Sequence, residues 1–380
     1  MNARQRQRAL KIVRRWAPDD YDRWVSMRVD ASVYGYDPFG LERETTMLAV
    51  AVFQLLHKHW FRVESWGLNN VPVEGPVLLV PNHSGAIPID AAMIAVDLMK
   101  KLAIPRVARA VFDNFAGCLP FVSLFFQRCG QFIGARDNLI RLLQKGEMVT
   151  VFPEGHRGTG KKFRDRYKLQ PFQVGFVEAS LITRTPIVPV AVIGAEEQYP
   201  FLLNLKPIAK VLKFPYLPLP LTSLLLGPVG LLPLPTKYQI HYGEPIRLYL
   251  NHSLEVLKSA DIIRGMAEEV RSRVQDLVQT GLRRRKGVFG LSRPVLRGIP
   301  ESLCRRTGGL ANRLRSFSGK QVRSPGEASP ARAIGHAVAA VLRSERTDSF
   351  THEVYPEESD SGGNGKAHMP EGVLPPETPL

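Results

Sequence analysis

Pro76-Val77-Leu78-Leu79-Val80-Pro81-Asn82-His83-Ser84-Gly85-Ala86-Ile87-Pro88-Ile89-Asp90 is the stretch from which the fold can be read. The unbroken apolar run Val77 to Val80 predicts a strand buried on both faces, and Pro81, which cannot donate to a ladder, ends it. Asn82, His83, Ser84 and Gly85 are then delivered to the carboxyl end of that strand, where open α/β sheets bind ligands. A histidine there can serve as a general base, because its ordinary pKa lies near working pH. It needs a carboxylate to hold the ring in one tautomer. Asp90, followed by apolar Ala91 to Val96, is the nearest, and Gly85 and Pro88 allow the loop between them to bend. The same residues also read as an ordinary loop histidine and a helix N-cap.

Outward from this stretch, strands and helices alternate. Thr45 to His59 is helix-like, and Phe61 to Trp66 reads as a strand closed by the Gly67-Leu68-Asn69-Asn70 turn. Downstream, strands are predicted at Arg106–Val111, Gln131–Gly134, Met148–Phe152, Ile187–Ile193 and Tyr238–Tyr242. Helices are predicted at Phe121–Gln127, Asn138–Lys145, Pro171–Thr183 and Ser259–Leu282, the last with apolar positions Ile262, Ile263, Met266, Val270, Val274, Leu277 and Val278 along one face. This alternation predicts an α/β fold, a mostly parallel central sheet flanked by helices, with its functional loops gathered at one edge. The expected organisation is a basic N-terminal arm and loop over 1–44, a central domain over 45–286 and a largely disordered tail over 287–380, with a short helix near Ala331–Leu342. The Leu- and Pro-rich segment 207–235 is too often interrupted for a core helix and reads as an apolar, lipid-contacting lobe or a buried irregular loop.

The 380 residues carry a net charge of +16, which favours polyanionic partners such as anionic headgroups, phosphorylated small molecules or nucleic acid. Aromatics are not interleaved with the basic clusters in a recognisable reading motif, so nucleic acid is the weakest of these. Cys118, Cys129 and Cys304 form neither an even framework nor a zinc-type spacing, so no metal is expected. Neither a signal peptide nor a membrane span is expected, and membrane contact would be interfacial. Residues 1–16, with Arg4, Arg6, Arg8, Lys11, Arg14 and Arg15 around Leu10, Ile12, Val13 and Trp16, read either as a basic amphipathic helix on anionic lipid or as a solvated arm. Asp30 to Leu41 reads as a structured loop of unassigned purpose.

Two further segments repeat the strand-exit logic. Gly130-Gln-Phe-Ile-Gly-Ala-Arg136 ends a strand in an arginine that can clamp a phosphate, with a surface ion pair as the plainer reading. Phe152-Pro153-Glu154-Gly155-His156-Arg157 places a carboxylate, a glycine permitting close backbone approach and an arginine at the next exit, and Ile187 to Val190 lies beyond. In this order and at these intervals, the segments resemble the four blocks of the glycerolipid acyltransferase family, which includes the lysophosphatidic acid acyltransferases. The resemblance covers roughly residues 75 to 245.

It implies that His83 and Asp90 form the catalytic dyad, and that Arg136, Glu154, Gly155 and Arg157 serve acceptor phosphate binding, with Asn82, Ser84 and Gly85 as further substrate-binding positions. Six residues, Ser84 to Ile89, separate His83 from Asp90 where the family pattern has four, and the longer form looks similar to a divergent branch whose acceptors include diacylglycerol or other alcohols.

The reaction implied is direct acyl transfer in phospholipid synthesis. His83 would take the acceptor hydroxyl proton as the oxygen attacks an acyl thioester, and backbone amides would hold the oxyanion. The co-substrate would be acyl-CoA or acyl carrier protein, with no bound cofactor. The protein would sit peripherally or monotopically on an anionic membrane at the cytoplasmic face. Two other readings compete with this one. Gly155-His-Arg-Gly-Thr-Gly160-Lys161-Lys162 has phosphate-loop spacing but ends in Lys where a Ser or Thr is needed for Mg²⁺. A non-catalytic membrane-binding relative would keep the fold and lose the dyad.

Overall fold

A computed structural model describes residues 3–27, 29–83, 89–112, 121–159, 161, 163–199, 202–204, 218–220, 227, 230 and 232–289. Its helices are α1 (Ala3–Trp16), α2 (Pro18–Val25), α3 (Arg43–Leu55), α4 (Ile89–Lys101), α5 (Val122–Arg128), α6 (Arg136–Gln144), α7 (His156–Thr159), α8 (Gly175–Thr183) and α9 (Ala260–Arg284). The strands are β1 (Glu64–Trp66), β2 (Val77–Pro81), β3 (Ala108–Phe112), β4 (Phe132–Ile133), β5 (Met148–Thr150), β6 (Ile187–Ile193), β7 (Leu202–Asn204), β8 (Pro218–Pro220) and β9 (Gln239–Tyr242). Seven of these form one sheet in the order β1-β9-β6-β2-β5-β3-β4, parallel at every junction except β9 against β6, while β7 and β8 pair separately.

The apolar run of β2 is explained by its position. It lies between β6 and β5, in register Leu78 to Ile187 and Leu78 to Val149, and every residue in it is buried. Val77 and Leu79 face a layer with Met93, Ile94 and Leu98 of α4. Leu78 and Val80 face the opposite layer, with Leu142 of α6, Phe176 of α8 and Val270 of α9. A strand covered on both faces has no polar alternate, which is why the sequence shows none. The long helix α9 presents Ile263, Met266, Val270, Val274 and Val278 to the domain, while Ile262 stays 45% exposed. At Gly281 the helix approaches the sheet so closely that a β-carbon would lie 2.1 Å from Ile193 Cδ1 and 2.7 Å from His241 Nε2, so a larger residue there would have to displace both side chains.

Some boundaries move for identifiable reasons. The helix over 45–59 extends to Trp60 through a π-helical turn, and Arg62 at φ 46° breaks the chain before a strand confined to 64–66. The helix expected from Pro171 starts only at Gly175, because Gln170 and Gln173 donate their N–H groups to Glu154 and to the Pro153 carbonyl. Residues 3–16 form a helix, but its apolar side is spent on the protein. Ala9 and Val13 are buried, Val13 in a cluster with Trp24, Met27, Met47 and Ala51, while Ile12 and Trp16 remain exposed.

The unassigned loop 30–41 acquires a purpose. Asp37 Oδ1 accepts the N–H groups of Phe39 and Leu41 at 2.9 and 2.8 Å. Its other oxygen pairs with the fully buried Arg109 of β3, whose Nε donates to the Gly130 carbonyl at 3.1 Å. The loop thereby closes the buried face of β3 around a neutralised charge. Most of 205–231, including most of the Leu/Pro lobe, and all of 290–380, including Ala331–Leu342, lie outside the described residues.

Candidate functional site

β2 ends in the middle of the sheet, and the two residues after it have different tasks. Asn82 is fully buried, and its amide is spent on β6: Nδ2 donates to the Val192 carbonyl at 3.0 Å and Oδ1 accepts the Val192 N–H at 2.7 Å. It ties the end of β2 to β6, with both ends of its amide occupied by Val192. Its neighbour His83 is turned into a wall of a cavity.

Asp90, in the first turn of α4, meets the histidine despite the longer spacing. Asp90 Oδ2 lies 2.9 Å from His83 Nδ1, while Oδ1 accepts the Ala91 N–H at 2.9 Å. The carboxyl group is completely enclosed and the imidazole is 14% exposed. A carboxylate oxygen accepts, so Nδ1 is the donor in this pair, and in the neutral ring Nε2 is then the nitrogen with the lone pair. The Phe152 ring lies against the imidazole at 4.3 Å between centroids, restricting its rotation. Ser84 and Gly85 lie outside the described residues.

The backbone of His83 is held from below. Glu154, buried just beyond β5, accepts the His83 N–H on Oε1 at 2.9 Å and the Gln170 N–H on Oε2 at 2.8 Å. It also pairs with Lys161 at 3.1 Å. Glu154 is thus spent on protein groups and does not reach outward. Gly155 takes φ 54°, which turns the chain after Glu154, and Gly158 of α7 lies directly against the His83 backbone.

The cavity beside His83 has a volume of about 240 Å³ and lies among α3, α4, α5 and β3. Ala49, Val50, Phe53, Ala92, Ala95, Val107, Ala110 and Phe126 make much of its wall. Thr46 and Gln131, which also line it, are already satisfied by backbone. The Thr46 hydroxyl donates to the carbonyls of Glu42 and Arg128, and Gln131 accepts the Ala110 N–H at 3.0 Å. Cys129 also lines it, and burial pushes its thiol up to about 12, with Glu42 adding to the effect, so it carries a proton at neutral pH. Among the described residues, His83 is therefore the polar group with chemistry to offer in a space that otherwise suits a hydrocarbon chain.

A histidine beside a carboxylate is not enough by itself. His57 Nε2 stands 3.2 Å from Asp97 Oδ1, but Ser65 and Tyr242 donate to the same carboxylate, His57 is buried, and it does not line the cavity. That pair ties α3 to α4, β1 and β9. What distinguishes His83 is access.

The two arginines stand apart from this arrangement. Arg136 opens α6 and donates from Nε to Glu178 Oε2 of α8 at 3.0 Å, an exposed ion pair. Arg157 is exposed on α7. Among the described residues no contact joins either to His83 or Asp90. Lys161, Glu196 and Phe152 are participants that the motifs did not single out for these roles; Glu196 lies on a different segment, and only folding brings it to Lys161.

Comparison with known proteins places these elements in a family. The acyltransferase family model matches residues 62–193, which include His83, Asp90, Arg136, Glu154 and Arg157. An uncharacterized protein of Mycobacterium tuberculosis is 36% identical over 258 residues, covering 67% of this chain and 72% of that one. A Bos taurus protein named as a DGAT1/2-independent enzyme synthesizing storage lipids is 29% identical over 133 residues, 34% of this chain and 38% of its own. The crystal structure of the 1-acyl-sn-glycerophosphate acyltransferase of Thermotoga maritima covers 73% of this chain and 98% of that one, at TM-score 0.40 and 16% identity, a likeness too slight to build on.

Proposed function

The chain belongs to the acyltransferase family, and on that premise we propose that it moves a fatty acyl group from an acyl thioester to the hydroxyl of a glycerolipid, with His83 as general base. The observation that carries this reading is the juxtaposition of an oriented imidazole and an apolar cavity whose other polar groups are spent. His83 Nε2 removes the proton from the acceptor hydroxyl as its oxygen attacks the thioester carbonyl. The carbonyl carbon forms a bond to that oxygen and loses its bond to sulfur, and the thiol leaves with a proton. Asp90 stabilises the imidazolium formed on the way. The acyl chain lies in the cavity between α3 and α4, where burying it contributes about 0.8 kcal/mol per methylene. The chemistry needs the acyl thioester, from acyl-CoA or acyl carrier protein, and no bound cofactor.

For the acceptor, a lysophosphatidic acid-like molecule is supported by Arg157, exposed and without an ion-pair partner among the described residues. A neutral alcohol such as diacylglycerol is supported by Arg136, whose guanidinium is engaged by Glu178, and by the storage-lipid function in the name of the bovine relative. No helix among the described residues is long and apolar enough to cross a membrane. Attachment at the surface is supported by Phe121, Leu124 and Phe125, all exposed and next to the cavity wall formed by Phe125 and Phe126. The test is product analysis with radiolabelled palmitoyl-CoA and vesicles carrying either lysophosphatidic acid or dioleoylglycerol. A labelled acyl ester is expected with one of them, and transfer to neither would refute the reading.

A further inference from the structure

The phosphate-loop spacing of Gly155 to Lys161 leaves a lysine that the reaction above does not use. Lys161 does not face a ligand space. Its side chain is 5% exposed, and its ammonium lies 3.1 Å from Glu154 Oε2 and 2.9 Å from Glu196 Oε1. Glu154 is enclosed, and through Oε1 it holds the backbone N–H of His83 at 2.9 Å. Glu196 is held in turn by the Tyr167 N–H at 2.6 Å. The segment is secured from α9, where Gln275 accepts the Leu169 N–H at 3.1 Å and donates to the Tyr167 carbonyl at 2.9 Å.

Two carboxylates buried on either side of one cation depend on it. With the ammonium removed, two buried carboxylates lose the cation that stands between them, and the geometry that Glu154 imposes is released. We propose that Lys161 is a positioning residue for acyl transfer: its charge holds the Glu154 carboxylate in place, and Glu154 in turn fixes the His83 backbone so that the imidazole reaches both Asp90 and the acceptor hydroxyl. This rests on the reading of His83 as the general base. Burial works against the ammonium, but Glu196 and Glu154 outweigh it and hold the Lys161 pKa above its ordinary value, so the charge is present at neutral pH.

The experiment compares full-length wild type, K161M, K161R and H83A with radiolabelled palmitoyl-CoA and both acceptors, alongside thermal unfolding. A base displaced by about 1 Å loses on the order of 10² in rate, so K161M is expected to lose about a hundredfold in kcat. Its KM for palmitoyl-CoA should be unchanged, since the cavity does not include Lys161. K161R, which restores the charge, is expected to recover to within about tenfold of wild type. Folded K161M with wild-type kcat, or a loss carried by KM alone, would overturn the inference while an inactive H83A left the general-base reading standing. An active H83A would overturn that reading itself. If K161M does not fold, K161Q, which keeps a donor but no charge, carries the same expectation and the same refutation.

Discussion

Replacing Gly158 by alanine adds one methyl group beneath the proposed base. The new β-carbon would lie 2.8 Å from Glu154 Cβ, 2.9 Å from His83 Cβ and 3.3 Å from the His83 carbonyl oxygen. Carbon atoms settle at about 3.5–4.0 Å, so something must retreat by roughly 0.6–1 Å. Glu154 is held by the N–H groups of His83 and Gln170 and by Lys161, and Gly158 itself donates to the Gly155 carbonyl at 3.0 Å. The strain therefore falls on His83, whose β-carbon and carbonyl oxygen face the added methyl. A shift of that size costs on the order of 10² in rate, and overpacking a tight contact costs about 1–3 kcal/mol of stability. The assay is kcat for acyl transfer together with the urea midpoint. Gly265→Ala serves as control, since a β-carbon on that exposed helical glycine meets nothing within 4 Å. The control is expected to keep full activity and to gain up to about 1 kcal/mol from helix propensity. Gly158→Ala with wild-type kcat and midpoint would refute the close approach of α7 to His83.

Two other substitutions test separate parts of the account. Asp37→Ala leaves the fully buried Arg109 with Glu147 at 3.8 Å as its ion-pair partner among the described residues, and urea unfolding is expected to show a loss of about 3–5 kcal/mol, the cost of breaking a buried pair; a change below 1 kcal/mol would show that Asp37 does not neutralise this arginine. Ala95→Leu adds three carbons to the cavity wall, so a panel of acyl-CoAs should shift toward shorter chains, whereas an unchanged chain profile would place the acyl group elsewhere.

Features carried by neighbouring residues were legible in the sequence. The Val77 to Val80 run announced a central strand because both its faces are covered, and the spacing of Ile263, Met266, Val270 and Val274 announced the buried face of α9. The late start of α8 was not legible, because the N–H groups that delay it are captured by Glu154 and Pro153 from another segment. The same physics limited the site. Asn82 and Glu154 stand in motif positions that suggest contact with substrate, yet their hydrogen bonds are spent on Val192, His83 and Gln170, partners that only the fold supplies. Nor does spacing alone show whether six intervening residues let Asp90 return to His83; that depends on where α4 begins, and it begins with Asp90 in its first turn.

The most direct measurement is the rate at which His83→Ala transfers a labelled palmitoyl group from palmitoyl-CoA to the acceptor that wild type uses, with circular dichroism matched to wild type. Loss of an oriented general base should lower kcat on the order of 10²–10⁴-fold. A folded His83→Ala protein that acylates the acceptor at the wild-type rate would contradict the assignment of the imidazole as the group that takes the proton.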